Sequence, residues 1–118
     1  MLQKVYRLKK KSEIQLIFAN GKSIADPYLV LYKHNKTSGK YPRVAFAVSK
    51  KIGNAVVRNK IKRLLREGVR PYISQLDSNY DIIFVARAKI KGISLQDIEK
   101  SIAKLLTRAQ LLKRSEKE

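Results

Sequence analysis

The run Lys50-Lys51-Ile52-Gly53-Asn54-Ala55-Val56-Val57-Arg58-Asn59-Lys60-Ile61-Lys62-Arg63-Leu64-Leu65-Arg66-Glu67-Gly68-Val69-Arg70 holds eight basic residues and one acid. Asn54, just after Gly53, is a candidate N-cap. A helix is expected from there to about Gly68 or Arg70, with Pro71 opening a further turn through Leu76. At about 100° per residue, Arg58, Lys62, Arg66, Asn59, Arg70 and Arg63 fall within an arc of about 140°. Val57, Ile61, Leu64 and Leu65 fall within about 100° opposite it. One face therefore reads as core and the other as cation plus amide.

That spacing suits a phosphate backbone. Helix turns rise about 5.4 Å, so Arg58, Lys62 and Arg66 present one cation per turn. Arginine forks bind phosphate oxygens bidentately, and lysine adds point charge. Asn59 donates and accepts, so it suits a base, a phosphate or a 2′-hydroxyl. The helix N-terminus near Asn54 offers backbone N–H groups to another phosphate. A merely solvated face would mix signs into i,i+4 pairs; here like charges stand at that spacing. Duplex DNA readout stays open on this helix alone, although it usually needs a dimer. A membrane-surface role is disfavoured, because the aliphatic face is needed for the core.

Outward from this helix the chain reads as one α+β domain over residues 1–118. Upstream lies a basic arm over residues 1–11, with Lys9, Lys10 and Lys11 at its end. A short helix is expected from Ser12 to Asn20, with Ser12 and Gln15 as a capping box and Gly21 at the C-terminus. Strands are expected at Tyr28–Tyr32, Arg43–Ser49 and Asp81–Ala86, with a short extra one at Lys22–Ala25. Residues from His34 to Pro42 read as a polar connection. Val44, Phe46 and Val48 share one strand face; Ala45, Ala47 and Ser49 share the other, whose small residues let something pack closely. Asp81–Ala86 is apolar on both faces and so reads as central. Ser94 caps a last helix whose apolar spacing continues to Leu112, and the tail from Lys113 to Glu118 reads as frayed.

Composition agrees with the basic helix. Among 118 residues, 27 Lys and Arg stand against 9 Asp and Glu, a formal net charge of +18. A polyanionic partner follows from that balance. Hydrophobic content of 44% excludes a disordered basic tail, and the absence of cysteine excludes thiolate metal sites and cysteine nucleophiles. No apolar run approaches the length of a membrane span, and no secretion signal is expected.

Residues for bond chemistry are scarce. His34 is the single histidine, so an acid–base pair of histidines is impossible. The acids are scattered, with Asp77 and Asp81 a close pair flanking a turn, whereas two-metal hydrolysis needs several converging carboxylates. Phe18 reads as core or stacking platform, and Tyr32 as a half-buried ring able to line a cleft.

The basic run, Lys50 to Glu67, resembles the Arg-Asn-basic signature helix of the protein subunit of bacterial ribonuclease P. Leu8-Lys9-Lys10, Phe18 before Gly21, Tyr32, Arg43-Val44, Ser49-Lys50-Lys51 and Ile83, Ala86 and Arg87 agree with that family. The resemblance implies an α-β-β-β-α-β-α fold like the second domain of ribosomal protein S5, with a small central sheet and the signature helix in a left-handed crossover. It implies an RNA-facing set of Lys51, Asn54, Arg58, Asn59, Lys62, Arg63 and Arg66. It also implies a cleft for the 5′ leader of precursor tRNA between first helix, last helix and sheet, with Phe18, Tyr32 and Ala45, Ala47 or Val48. Family members often carry an aromatic residue one turn before Phe18, where this chain has Ile14. The implied function is tRNA processing by a cytoplasmic ribonucleoprotein endonuclease, a hydrolase that removes the leader. Its partners would be the catalytic RNA and precursor tRNA, with no membrane and no obligate protein partner. No catalytic residue is expected on this chain; the implied cofactor is Mg²⁺, bound mainly by the RNA.

Overall fold

The computed structural model describes residues 6–36 and 41–112. The readings on 1–5, 37–40 and 113–118, including the start of the arm and the charged tail, lie outside them. The elements run α1 (Lys11–Asn20), β1 (Lys22–Ala25), β2 (Leu29–Asn35), β3 (Arg43–Ala47), α2 (Ala55–Val69), β4 (Tyr80–Ala86) and α3 (Leu95–Arg108). Short 3₁₀ segments follow α2 at Arg70–Gln75 and β4 at Ala88–Ile90. The order α-β-β-β-α-β-α agrees with the sequence reading.

The four strands form one mixed sheet in the order β1-β2-β4-β3. β2 is antiparallel to both β1 and β4, while β3 and β4 are parallel and are joined through α2. β4 is central, and its Ile82, Ile83 and Phe84 are almost wholly buried. Side chains alternate across the sheet, so each face has its own cover. Leu29, Leu31, Val44, Ile82 and Phe84 join Ile61, Leu65 and Val69 of α2 and Ile98, Ile102, Leu105 and Leu106 of α3 in the main core. On the reverse face, Leu8, Ile17 and Ile83 make a small separate cluster beneath α1.

Several expectations are corrected. The cap of α1 is Lys10, which makes no side-chain cap bond, and not Ser12. β2 runs on through His34 and Asn35, because both pair with β4, at Asp81 and Tyr80. α3 stops at Arg108, short of Leu112. Gln110 turns left-handed with φ 59°, which lets Leu111 bury and Leu112 bridge to Leu76. Tyr28, the expected first residue of this strand, lies outside β2 and packs against the main core.

Two close contacts fix how the helices pack. Buried Asp26 accepts hydrogen bonds from Tyr28 N and Leu29 N at 2.8 and 2.9 Å. Its other oxygen accepts from Ser101 Oγ, fixing the β1–β2 turn against α3. Gly68 lets α2 approach α3, because a Cβ there would lie 2.8 Å from Ile102 Cδ1.

Candidate nucleic-acid interface

α2 is built from packing inward and charge outward. Asn54 Oδ1 accepts from Val57 N at 3.0 Å, so the expected N-cap is present. Ile61, Leu65, Gly68 and Val69 are buried. Burial of Gly68 and Val69 shifts the core stripe, leaving Arg58, Lys62 and Arg66 half-buried on its flank. Asn59, Arg63 and Arg70 are exposed. Arg58 is partly engaged, since its Nε donates to Gly53 O at 3.2 Å. Arg70 pairs with Glu67 at 3.0 Å. Lys51 and Asn54 are exposed at the N-terminal approach to the helix.

Lys62 and Arg66 also wall a cleft of about 380 Å³ at the outer edge of β3, with Arg7, Lys9, Ile14, Ala45 and Phe46. The arm reaches this edge through a bridge between Arg7 and Val44, with Leu8 N donating to Val44 O at 3.1 Å. Among the described residues, no acid lines the cleft.

Sheet register resolves the α1 face into three rows. His34, Asp81 and Arg43 form the first; Ser23, Tyr32, Ile83 and Ala45 the second; Ala25, Val30, Val85 and Ala47 the third. Ile17 and Leu8 cover the second row. Phe18, 42% exposed, meets Tyr32 edge to face with ring centres 4.9 Å apart. The third row remains half-buried or exposed along its length. Phe18 and Tyr32 therefore border a small-residue floor that includes Ala47, with Ala45 beside it.

Two parts of the expected cleft are corrected. Val48 is buried in the main core with Val44 and Phe46, so it lies behind this floor. α3 packs on the main-core face too, so α1 and the sheet form the cleft without it.

The first row carries a charge network that sequence reading missed. Arg43 donates to Asp81 through Nε at 3.0 Å and Nη2 at 2.8 Å. It also donates to Glu13 through Nη1 at 3.2 Å and Nη2 at 3.1 Å. Lys36 Nζ adds a bond to Asp81 at 2.9 Å. Burial pushes the Asp81 carboxyl up, but the bonds from Arg43 and Lys36 outweigh it and hold the pKa below the usual carboxylate range. The bond to Asp81 raises the Arg43 pKa against the opposing effect of burial. His34 is half-buried on this row, opposite Asp81.

No three His, Cys, Asp or Glu side chains converge among the described residues. The acids on the α1 face are clamped by Arg43 and Lys36, and Asp26 is saturated by its turn. These donors do not fit a divalent-ion site. No helix of the described residues is long and apolar enough to cross a membrane.

Comparison with known proteins agrees with this geometry. The family model described as Ribonuclease P matches residues 2–110. The "Ribonuclease P protein component" of Caldanaerobacter subterraneus subsp. tengcongensis is 39% identical, covering 99% of this chain and all of that one. That of Clostridioides difficile is 41% identical over 88% and 91% of the two chains. The solved ribonuclease P protein of Staphylococcus aureus superposes with a TM-score of 0.84 at 37% identity, covering 91% of this chain and 97% of that one. Its Thermotoga maritima counterpart gives 0.78 at 29% identity, covering 86% and 96%. With a family model spanning nearly the whole sequence and full-length relatives near two-fifths identity, the chain belongs to the bacterial ribonuclease P protein family.

Proposed function

We propose that this chain docks the catalytic RNA through Lys51, Asn54, Arg58, Asn59, Lys62, Arg63 and Arg66. The 5′ leader of precursor tRNA lies on the α1 face, against Phe18, Tyr32, Ala45 and Ala47. The observation that carries this reading is the cation ridge of α2 lying beside the α1 face, across the edge strand β3 and the Arg7–Lys9 arm that runs along it. Cations there lower the repulsion between two RNAs brought side by side. Stacking on Phe18 and Tyr32 tolerates any base, as a variable leader requires. The RNA performs the phosphodiester hydrolysis in the cytoplasm and holds the Mg²⁺ it needs; this chain positions both RNAs.

Precursor-tRNA cleavage at low Mg²⁺ tests the proposal, with protein alone, RNA alone and both together. Cleavage is expected only from the pair under those conditions. Robust cleavage by protein alone, or no stimulation of the RNA, overturns it.

A further inference from the structure

We infer that Arg43 and Glu13 are positioning residues that set α1, and with it the wall of the leader cleft, at a fixed height above the sheet. The inference rests on the reading of that cleft given above.

α1 is lightly held. Below it lies a cluster of three buried residues, Leu8, Ile17 and Ile83, separate from the main core. At its C-terminal end Gly21 packs directly on β2, where a Cβ would lie 2.7 Å from Lys33 O. At its N-terminal end the tie is Glu13, whose two carboxylate oxygens meet the Arg43 fork at 3.2 and 3.1 Å. Arg43 is itself anchored, because Asp81 on the central strand takes its other edge at 3.0 and 2.8 Å. The guanidinium thus bridges a buried carboxylate of the sheet to a half-exposed carboxylate of the helix.

Planarity makes this bridge directional. Two bidentate pairs on one guanidinium fix angle as well as distance, which a lysine in its place would not do. Ile17 then acts as the pivot, and Glu13 and Gly21 fix the two sides of it. Phe18, next to Ile17, keeps its edge-to-face contact with Tyr32 only while α1 holds its angle.

Electrostatics gives the test a distinctive sign. Glu13→Gln removes a negative charge, so general attraction to RNA should rise. Positioning predicts the opposite for the leader. In the reconstituted holoenzyme, Glu13→Gln and Arg43→Lys should each raise KM for a long-leader precursor by about fivefold. Neither should change kcat, or KM for a precursor with a one-nucleotide leader. Amide hydrogen exchange over 12–20 should quicken while β4 stays protected.

An unchanged long-leader KM, or an equal change for both substrates, overturns the inference. So does unaltered exchange across α1. A wild type indifferent to leader length overturns the cleft reading with it, whereas a leader-sensitive wild type with an indifferent Glu13→Gln overturns this inference alone.

Discussion

Arg63 offers the cleanest test of the docking ridge. It is exposed on α2, and its side chain makes no hydrogen bond or ion pair among the described residues. Arg63→Ala should therefore leave the fold intact and remove one phosphate contact. Each contact contributes about 0.7 to 0.9 to the slope of log affinity against log salt. Between 50 and 200 mM salt, a fourfold rise, the variant's deficit should shrink about threefold. Fluorescence anisotropy of labelled catalytic RNA over that range measures both slope and deficit. Lys104→Ala is the matched control. Lys104 is also exposed, but lies on α3 beside Asp26 and Asp97. Equal losses from the two variants would mean that only the summed field of the protein matters. That result, or an unchanged slope for Arg63→Ala, would refute a docking surface on α2.

Tyr32→Ala should weaken binding of leader-bearing precursor by about 1 kcal/mol, the low end for a base stacked on an aromatic ring. Leaderless substrate should be unaffected; equal losses for both would move the leader off this face. Gly21→Ala places a Cβ 2.6 Å from Ile17 O and 2.7 Å from Lys33 O, both backbone atoms that cannot swing aside. It should cost about 1–3 kcal/mol in a denaturant titration, and an unchanged midpoint would refute that packing. Asp81→Asn should cost about 2 kcal/mol at neutral pH, since charged hydrogen bonds to Arg43 and Lys36 are lost. The folded Asp81 pKa is depressed, so its contribution is present above the unfolded value, near 3.9, and is lost as pH falls below it. Thermal melts should accordingly show the gap between wild type and Asp81→Asn closing in acid. A gap that widens would reverse the assigned shift.

What was legible in the sequence was whatever neighbours along the chain decide. Asn54 and Ser94 cap their helices because each side chain reaches a backbone N–H three residues on. β4 was readable as central because both of its faces are apolar. The charge network was not readable, since Arg43 meets Glu13 and Asp81 across 30 and 38 residues of chain. Strand alternation told which residues share a face, but not what covers it. Ala45 and Ala47 were correctly set apart from Val44 and Phe46, and Val48 follows the latter pair into the core. The position of α3 behind the sheet depends on its packing with α2 at Gly68, a contact no local pattern encodes.

The net charge of +18 also takes on a spatial meaning. Acids are few, and the structure uses several of them as fasteners. Glu13 and Asp81 hold Arg43, and Asp26 holds a turn to α3. Between Arg58 and Arg66, α2 carries no acid at all. Like charges at i,i+4 cost an isolated helix about 0.2–0.5 kcal/mol per pair. α2 tolerates this because Ile61, Leu65 and Val69 are buried, at about 1.5–3 kcal/mol per fully buried side chain. Stability thus comes from one side of the helix and charge from the other. The surface is free to be tuned to a polyanion without reference to folding, provided that the buried stripe is left intact.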